Sequence, residues 1–489
     1  MAYESTAEFA ARLEAAGELT RIAAPVKTDL EITALADREM KSPGGGKALL
    51  IEKPVQADGS VSAFPVLINA FGSERRMNLA LGVDNLNEVV DQITFLLKAK
   101  PPRSFNEGWA LFKAGLDLFL HAKPTKVSGG SCKDVILRTE DGGLGLDLLP
   151  VLKCWPQDGG RFVTLPNVYT VDPDSGARNI GMYRMQIFDR WTTGMHWQLH
   201  KVAARHGKRY YETKTRMPVA VCLGGDPALT FAATAPMPDG LDEVLLGGFL
   251  RKKAVPMVKC ETNDLEVPAN SDFVIEGYVD PAEPLWPEGP FGDHTGFYTP
   301  VDPYPAFHVT AITHRKDAVY PATVVGKPPM EDFYLGSASV RVFLPVFKMN
   351  FPEIVDMALP AEGVFHNLVF VSIKKQYPYQ AYKIMHALWG MGQMMFTKII
   401  VVVDAHVNVH DTSDVLFHLC ANIDPQRDTL FTKGPCDALD HAPTVANIGS
   451  HMGFDATQKL PGEGYTRGWP EECVLPPGLV EEMGQRFPR

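Results

Sequence analysis

A helical pattern carrying Val89, Val90, Ile93, Leu96 and Leu97 runs into Pro101-Pro102, and beyond that break the rhythm of the chain changes. Proline has no N–H to continue the helical ladder and disfavours helix in the residue before it, so a domain boundary is expected between there and Ser128. Upstream the sequence reads as α/β. A helix from about Thr6 puts Phe9 and Leu13 on one face and ends near Gly17, a second runs from Leu30 through Ala36, and short apolar runs follow at Ala48–Ile51 and Val66–Phe71. From about residue 130 to 320 the segments are short and β-rich, among them Phe162–Tyr169, Val219–Leu223, Phe273–Val279 and Ala306–Thr313. Loops of Gly, Pro, Asp and Asn separate them, which predicts a barrel or sandwich-like β domain. After Gly326-Lys-Pro-Pro-Met330 the α/β alternation returns. Leu368–Ile373 reads as a strand, Tyr379–Met394 as a helix, Lys398–Asp404 as a buried strand, Ser413–Cys420 as a helix, with one more near Leu479–Gln485.

Composition narrows the function. The 489 residues carry 47 Lys+Arg against 58 Asp+Glu, a net charge of -11, which argues against a nucleic-acid binder with a basic phosphate-facing stripe. At 45% apolar residues the chain is ordinary globular usage, and 42 Gly with 39 Pro, about one residue in six, leave room for many turns. Cys132, Cys154, Cys222, Cys260, Cys420, Cys436 and Cys473 are odd in number, scattered and without a Cys-x-x-Cys pair, which points to a reducing compartment. The first residues read as an amphipathic helix rather than a signal, and no window is apolar enough to span a bilayer, so the cytoplasm is the expected location.

Several motifs are weighed against blander readings. Gly44-Gly45-Gly46-Lys47 has Lys41 and Ala48 where a phosphate loop needs Gly and Ser or Thr, so it reads as a turn. No Gly-x-Gly-x-x-Gly follows a predicted strand. His196 and His200 have the spacing of one helical face, a metal pair only if another ligand joins them and otherwise surface or packing. In Pro287-Glu288-Gly289-Pro290-Phe291-Gly292-Asp293-His294-Thr295-Gly296 two carboxylates sit in a backbone stiffened by proline and freed by glycine, either a catalytic loop or a solvated turn. In Asn179-Ile-Gly-Met-Tyr183-Arg184-Met-Gln186, Arg184 could fork onto a carboxylate or form a structural ion pair. Asn263–Ala269 is equally open.

Taken in order, these stretches resemble the UbiD family of reversible aryl and acrylic acid decarboxylases, which use prenylated FMN. The resemblance runs from Gly17-Glu-Leu-Thr-Arg21 and Leu30-Glu-Ile-Thr33 through Cys154-Trp-Pro156, Arg178–Arg184 and Gly225-Asp-Pro227. It continues through Asn263–Ala269, Glu288–Gly296, Phe351–Asp356, Lys374-Lys-Gln376, Asp424-Pro-Gln-Arg427 and Gly453-Phe-Asp-Ala456, nearly the whole chain.

The resemblance implies a catalytic trio of Arg184, Glu288 and Asp293, with Arg184 and Glu288 paired beside the reacting carbon. Asp293 delivers the proton that replaces CO2, which asks for a pKa raised by burial or by the Glu288 charge. Asn179, His200 and Glu243 match ligands of a divalent Mn2+ or Mg2+ that bridges to the cofactor phosphate, with K+ or Na+ nearby, and His196 competes with His200 for the imidazole position. Met182, Tyr183, Arg184, Trp197 and Lys201 fall where the family lines its flavin pocket. The implied fold is mixed α/β and β: an N-terminal α/β domain over residues 1–125, a split β-barrel flavin-binding domain over 126–325, and a C-terminal α/β oligomerisation domain over 326–489, assembling as homodimer or homohexamer. A separate flavin prenyltransferase supplies the cofactor.

The substrate expected is a small aromatic acid that yields CO2, and specifically a hydroxyaryl quinone precursor of polyprenyl-hydroxybenzoate or dihydroxynaphthoate type. Leu152-Lys-Cys-Trp-Pro-Gln-Asp-Gly-Gly160 with His196-Trp-Gln looks like the dihydroxynaphthoate relatives. A catabolic enzyme for a small phenolic or heteroaromatic acid, and a flavin-binding assembly subunit of a multi-component carboxylase, stay open beside it.

Overall fold

The computed structural model describes residues 2–97, 115, 121–197, 201–237 and 240–487. Pro101-Pro102 and His200 lie outside them. The protein is a mixed α/β structure whose centre is a curled, half-barrel sheet of nine strands. From one edge the strands are Phe162–Val163, Met185–Asp189, Thr192–Gly194, Ala306–His314, Phe273–Val279, Met217–Leu223, Asn167–Val171 and Arg178–Met182, with Val135–Arg138 pairing beside Ala306–His314.

The chain order forces the curl. Arg178–Met182 ends this path and Met185–Asp189 stands second from the other edge, yet only Tyr183 and Arg184 separate them. Laid flat, six strand spacings would hold these two about 29 Å apart, whereas the step from Met182 to Met185 reaches about 11 Å at most. The sheet therefore rolls until its ends meet, and Arg184 sits in the seam. Val168, Val219, Val221, Ile275, Phe273, Phe307 and Ile312, all buried, fill the interior.

The expected strands Val219–Leu223, Phe273–Val279 and Ala306–Thr313 appear nearly as read, while Phe162–Tyr169 splits into two around Pro166. Three helices also lie in this stretch, Val202–Thr213, Pro227–Thr234 and Glu243–Arg251; the first buries the regular face Ala203, His206, Gly207 and Tyr210, whereas Pro227–Ala233 is buried on every side, which erases the period that marks a surface helix.

Before it, Leu19–Lys27, Ala48–Val55 and Val66–Ile68 form a sheet joined by Tyr320–Ala322, which returns from far along the chain to pair parallel with Val66–Ile68. The helix Thr6–Ala15 opens with Ser5 accepting from the Glu8 N–H and buries Phe9 and Leu13. Leu19–Lys27 is a largely exposed edge strand containing Pro25, so no alternation betrays it. The glycine cluster is indeed a turn: the carbonyls of Gly45 and Gly46 accept from the fully buried Arg76 guanidinium at 2.8 and 2.6 Å. A phosphate loop would turn its N–H groups, not its carbonyls, toward the ligand.

Toward the C-terminus a five-stranded sheet runs in the order Ile354–Ala358, Leu368–Ile373, Ile399–Asp404, Ile448–Asp455, Thr429–Pro435, its three middle strands parallel. The helices Gln380–Trp389, Thr412–Asn422 and Pro477–Arg486 fall where expected, the first ending short of Met394 at Gly390. The 20-residue helix Glu331–Asn350 was not foreseen; it contains Pro345 and follows the Pro328-Pro329 loop. No helix among the described residues is long and apolar enough to cross a membrane.

Candidate active site

Arg184 leaves the seam between the sheet ends and is forked onto Glu288, Nε donating to Oε1 at 2.8 Å and Nη2 to Oε2 at 3.1 Å. Its Nη1 contacts Asp293 Oδ2, and its guanidinium lies 4.6 Å from the centre of the Phe291 ring. The fork uses the parallel N–H pair that lysine lacks. All three charged groups are buried, with Glu288 0% exposed, so a single arginine faces two carboxylates out of water.

The loop from Pro287 to Gly296 holds this geometry. Gly289 N–H donates to Gln186 Oε1 at 2.7 Å, Phe291 N–H to Thr299 Oγ1 at 3.1 Å, and Gly292 N–H to Asp158 Oδ1 at 2.8 Å. Gly289 has φ +102°, a conformation other residues rarely adopt, and a Cβ on Gly292 would stand 2.2 Å from Trp155 Cδ1. The glycines are therefore required by backbone shape and by the tryptophan, and the two acids are aimed inward rather than solvated.

Charge sets the protonation of the group. Burial would raise the Glu288 carboxyl, but hydrogen bonds from His196 and Arg184 overcome it and bring it to about 2. Asp293 behaves alike: burial is outweighed by the Arg184 charge and the His294 hydrogen bond, which hold it well below the usual carboxylate range. The raised value expected for Asp293 is thus not the one found, because Arg184 serves both acids at once. Burial and the Arg184 charge lower His196, while His294 is raised because Asp293 outweighs its burial.

Residues not singled out from the sequence complete the cluster. His294 Nδ1 lies 2.9 Å from Asp293 Oδ1, and its Nε2 lies 2.7 Å from Nε2 of His366. Burial and the neighbouring His294 lower His366 to about 4. His366 follows the 3-10 turn Ala361–Gly363, so the C-terminal sheet region meets the acid loop here. A histidine 72 positions away carries no sequence signal of this contact.

The spacing of His196 and His200 suits a metal pair on one helical face. His196 lies instead in the extended stretch before the helix Val202–Thr213, with Nδ1 3.2 Å from Glu288 Oε2. The helical-face reading of that pair therefore fails for His196, and His200 lies outside the described residues. Asn179 and Glu243 do come together. Ile180 N–H donates to Glu243 Oε2 at 2.9 Å, and Arg178 bonds Asp242, the N-cap of the helix Glu243–Arg251. Asn179 is 4% exposed and its amide nitrogen has no partner; a half-turn of the amide would present the oxygen instead. Burial raises Glu243 to about 7, as for a carboxylate short of positive charge.

The expected flavin-pocket residues lie along the same seam. Met182 ends the strand Arg178–Met182, Tyr183 is buried beside Asn179, and Trp197 is buried with its indole N–H unpartnered. Lys201 precedes the helix Val202–Thr213, and burial lowers its pKa against the pull of Asp437. The Trp197 indole N–H, a donor, and His196 Nε2, an acceptor while Nδ1 donates to Glu288, are buried without partners and are what a polar bound group would satisfy.

Three family models match the chain: the N-terminal domain of 3-octaprenyl-4-hydroxybenzoate carboxy-lyase over residues 10–95, its Rift-related domain over 124–328 and its C-terminal domain over 333–456. An uncharacterised protein of Archaeoglobus fulgidus is 50% identical over 96% of this chain and 95% of its own, and one of Aquifex aeolicus 47% identical over 100% and 98%. Among solved structures, vanillic acid decarboxylase of Sedimentibacter hydroxybenzoicus superposes with a TM-score of 0.83 at 25% identity over 99% of this chain and 98% of that one. The UbiD-class enzyme HmfF of Pelotomaculum thermopropionicum, solved with FMN, gives 0.79 at 26% identity over 98% of both. The chain belongs to the UbiD family, and it is a decarboxylase, a carboxy-lyase.

Proposed function

We propose that the chain is a prenylated-FMN-dependent, reversible decarboxylase of a hydroxyaryl carboxylic acid serving as a quinone precursor, of polyprenyl-hydroxybenzoate or dihydroxynaphthoate type. The observation that carries the reading is the buried Arg184 shared between Glu288 and Asp293. HmfF, solved with FMN and in an evolved form with prenylated FMN, supports the cofactor. Met182, Tyr183, Trp197 and Lys201 would line the flavin site, and Asn179 and Glu243, with His200, would hold Mn2+ or Mg2+ against its phosphate. The Asn179 amide, once turned to present its oxygen, and the charge-poor Glu243 fit a hard cation, with K+ or Na+ as companion. Bound there, the cofactor supplies an electron sink for the pair released when the carboxylate leaves.

The protein residues supply orientation and a proton. A substrate carboxylate entering beside Arg184 competes with Asp293 for Nη1. Freed of the arginine charge, a buried Asp293 has its pKa raised and takes up a proton. The bond from ring carbon to carboxyl carbon breaks, CO2 departs, and the Asp293 proton goes to the vacated carbon. His294, bonded to the other oxygen of Asp293, stands where it can return the proton. Glu288 keeps Arg184 and His196 in place throughout.

The similarity to a vanillic acid decarboxylase favours a second reading, a catabolic enzyme acting on a small phenolic acid. Homo-oligomerisation, the two domain boundaries near residues 125 and 325, a cytoplasmic location and a flavin prenyltransferase as supplier belong to the same proposal. Co-expression with such a prenyltransferase, followed by mass and visible spectra, tests it. Prenylated FMN near one per chain, and CO2 release from one hydroxyaryl class, is the expected result; the class that reacts decides between the two readings. A colourless chain with metal and cofactor supplied would leave the assembly-subunit role instead.

A further inference from the structure

Far along the chain from the acid loop, three elements of the C-terminal region bring metal-ligating side chains to one point. His406 stands in the turn after the strand Ile399–Asp404, His418 lies in the helix Thr412–Asn422, and Glu472 comes from the irregular tail before the last helix. One ligand atom of each lies within 4.8 Å of the others, and among the described residues this is the one such cluster of His, Cys, Asp and Glu. Asp414, one helical turn before His418, stands at the edge of this group, near His418 alone: its Oδ2 accepts from the Asn408 N–H and its Oδ1 faces His418 Nε2.

The spacings suit a metal site as well as an ion-pair network. His406 Nε2 to Glu472 Oε2 is 3.5 Å, and His418 Nε2 to Asp414 Oδ1 is 3.4 Å. Both exceed the roughly 2.7–3.2 Å of an N–H···O hydrogen bond. Both match the edge of a tetrahedron around zinc, about 3.4 Å for bonds near 2.0–2.1 Å. His406 and Glu472 are exposed and can rotate to close the wider gaps, whereas His418 is 5% exposed and fixed by its helix. Among the described residues, the contact with His406 is the one salt bridge made by residues 470–476, and Val474 and Leu475 beside it are exposed.

We propose that His406, His418, Asp414 and Glu472 form a tetrahedral site for a borderline transition cation, Zn2+ by donor set, that clips the C-terminal tail to the sheet domain. Two imidazoles and two carboxylates suit zinc better than the hard oxygen-loving cations. A clip across the long stretch from His418 to Glu472 stabilises by restricting the tail. The site stands apart from Arg184 and does not depend on the reaction assigned above.

The test uses the full-length chain stripped with a chelator and titrated with Co2+, then Zn2+, beside His406→Ala and Glu472→Gln. Both substitutions lie at exposed positions, so folding is not at stake, and circular dichroism checks it. The difference spectrum between wild type and His406→Ala isolates this site from any cation bound elsewhere. A tetrahedral visible band, displaced by Zn2+ and weakened roughly a hundredfold or more in affinity by either substitution, is expected, with Zn2+ slowing tryptic cleavage at Arg467 in wild type alone and decarboxylation unchanged in both variants. Binding and cleavage identical in wild type and variants, or an octahedral difference spectrum, would overturn the proposal.

Discussion

At Arg184 one side chain does two jobs: it fixes Glu288 through a fork and holds Asp293 ionised by contact. Glu288 is brought down to about 2 from an ordinary 4.5, although burial pushes the other way. The unfolded chain therefore binds the extra proton first as pH falls. The stabilisation is complete above about pH 4.5 and is lost progressively toward pH 2, on the order of 3 kcal/mol for such a shift. Denaturant unfolding of Glu288→Gln across that window should show a shallower pH slope than wild type, by about one proton. The variant should also be less stable at pH 7, because Arg184 loses its buried counter-charge. The trio itself was legible through the resemblance, since Arg184, Glu288 and Asp293 lie in two recognisable stretches. The protonation of Asp293 was not, because it depends on which oxygen touches Arg184 in space.

The acid loop works as an element because glycine admits close contact at two points. Gly292→Ala would drive a methyl into Trp155, whose indole is anchored by donating to the Val325 carbonyl at 2.8 Å, so the loop rather than the tryptophan must shift. A displacement near 1 Å at a reacting group costs on the order of a hundredfold in rate; kcat should fall by that order while the melting temperature changes little. Arg76 tests the glycine turn in the same way. Arg76→Leu leaves the Gly46 carbonyl without its donor, while Gly45 keeps Asn69 and Glu18 keeps Arg75, and a cost of about 1–3 kcal/mol is expected in denaturant unfolding. Strands with apolar runs, such as Phe273–Val279 and Leu368–Ile373, were readable from the sequence. The edge strand Leu19–Lys27 and the wholly buried helix Pro227–Thr234 were not, since exposure and full burial both remove the periodicity that sequence reading depends on.

Across the whole molecule the site depends on two long-range arrangements. The two-residue Tyr183-Arg184 link rolls the central sheet, and the C-terminal region presents His366 to His294. Neither is local in sequence: the first follows from strand order, the second from packing of separate sheets. The fold class and the succession of α/β, β and α/β stretches were nonetheless visible in the change of period. The proposed mechanism turns on Asp293 as the proton donor. Its most direct test is decarboxylation of a reactive hydroxyaryl acid by the holoenzyme in D2O, wild type beside Asp293→Asn, following CO2 and the deuterium content of the product. Wild type should place one deuterium on the vacated carbon. The variant should bind the acid within a few-fold of wild type, yet turn over about a hundred to ten thousand times more slowly. Full turnover and full deuteration in Asp293→Asn would contradict the account.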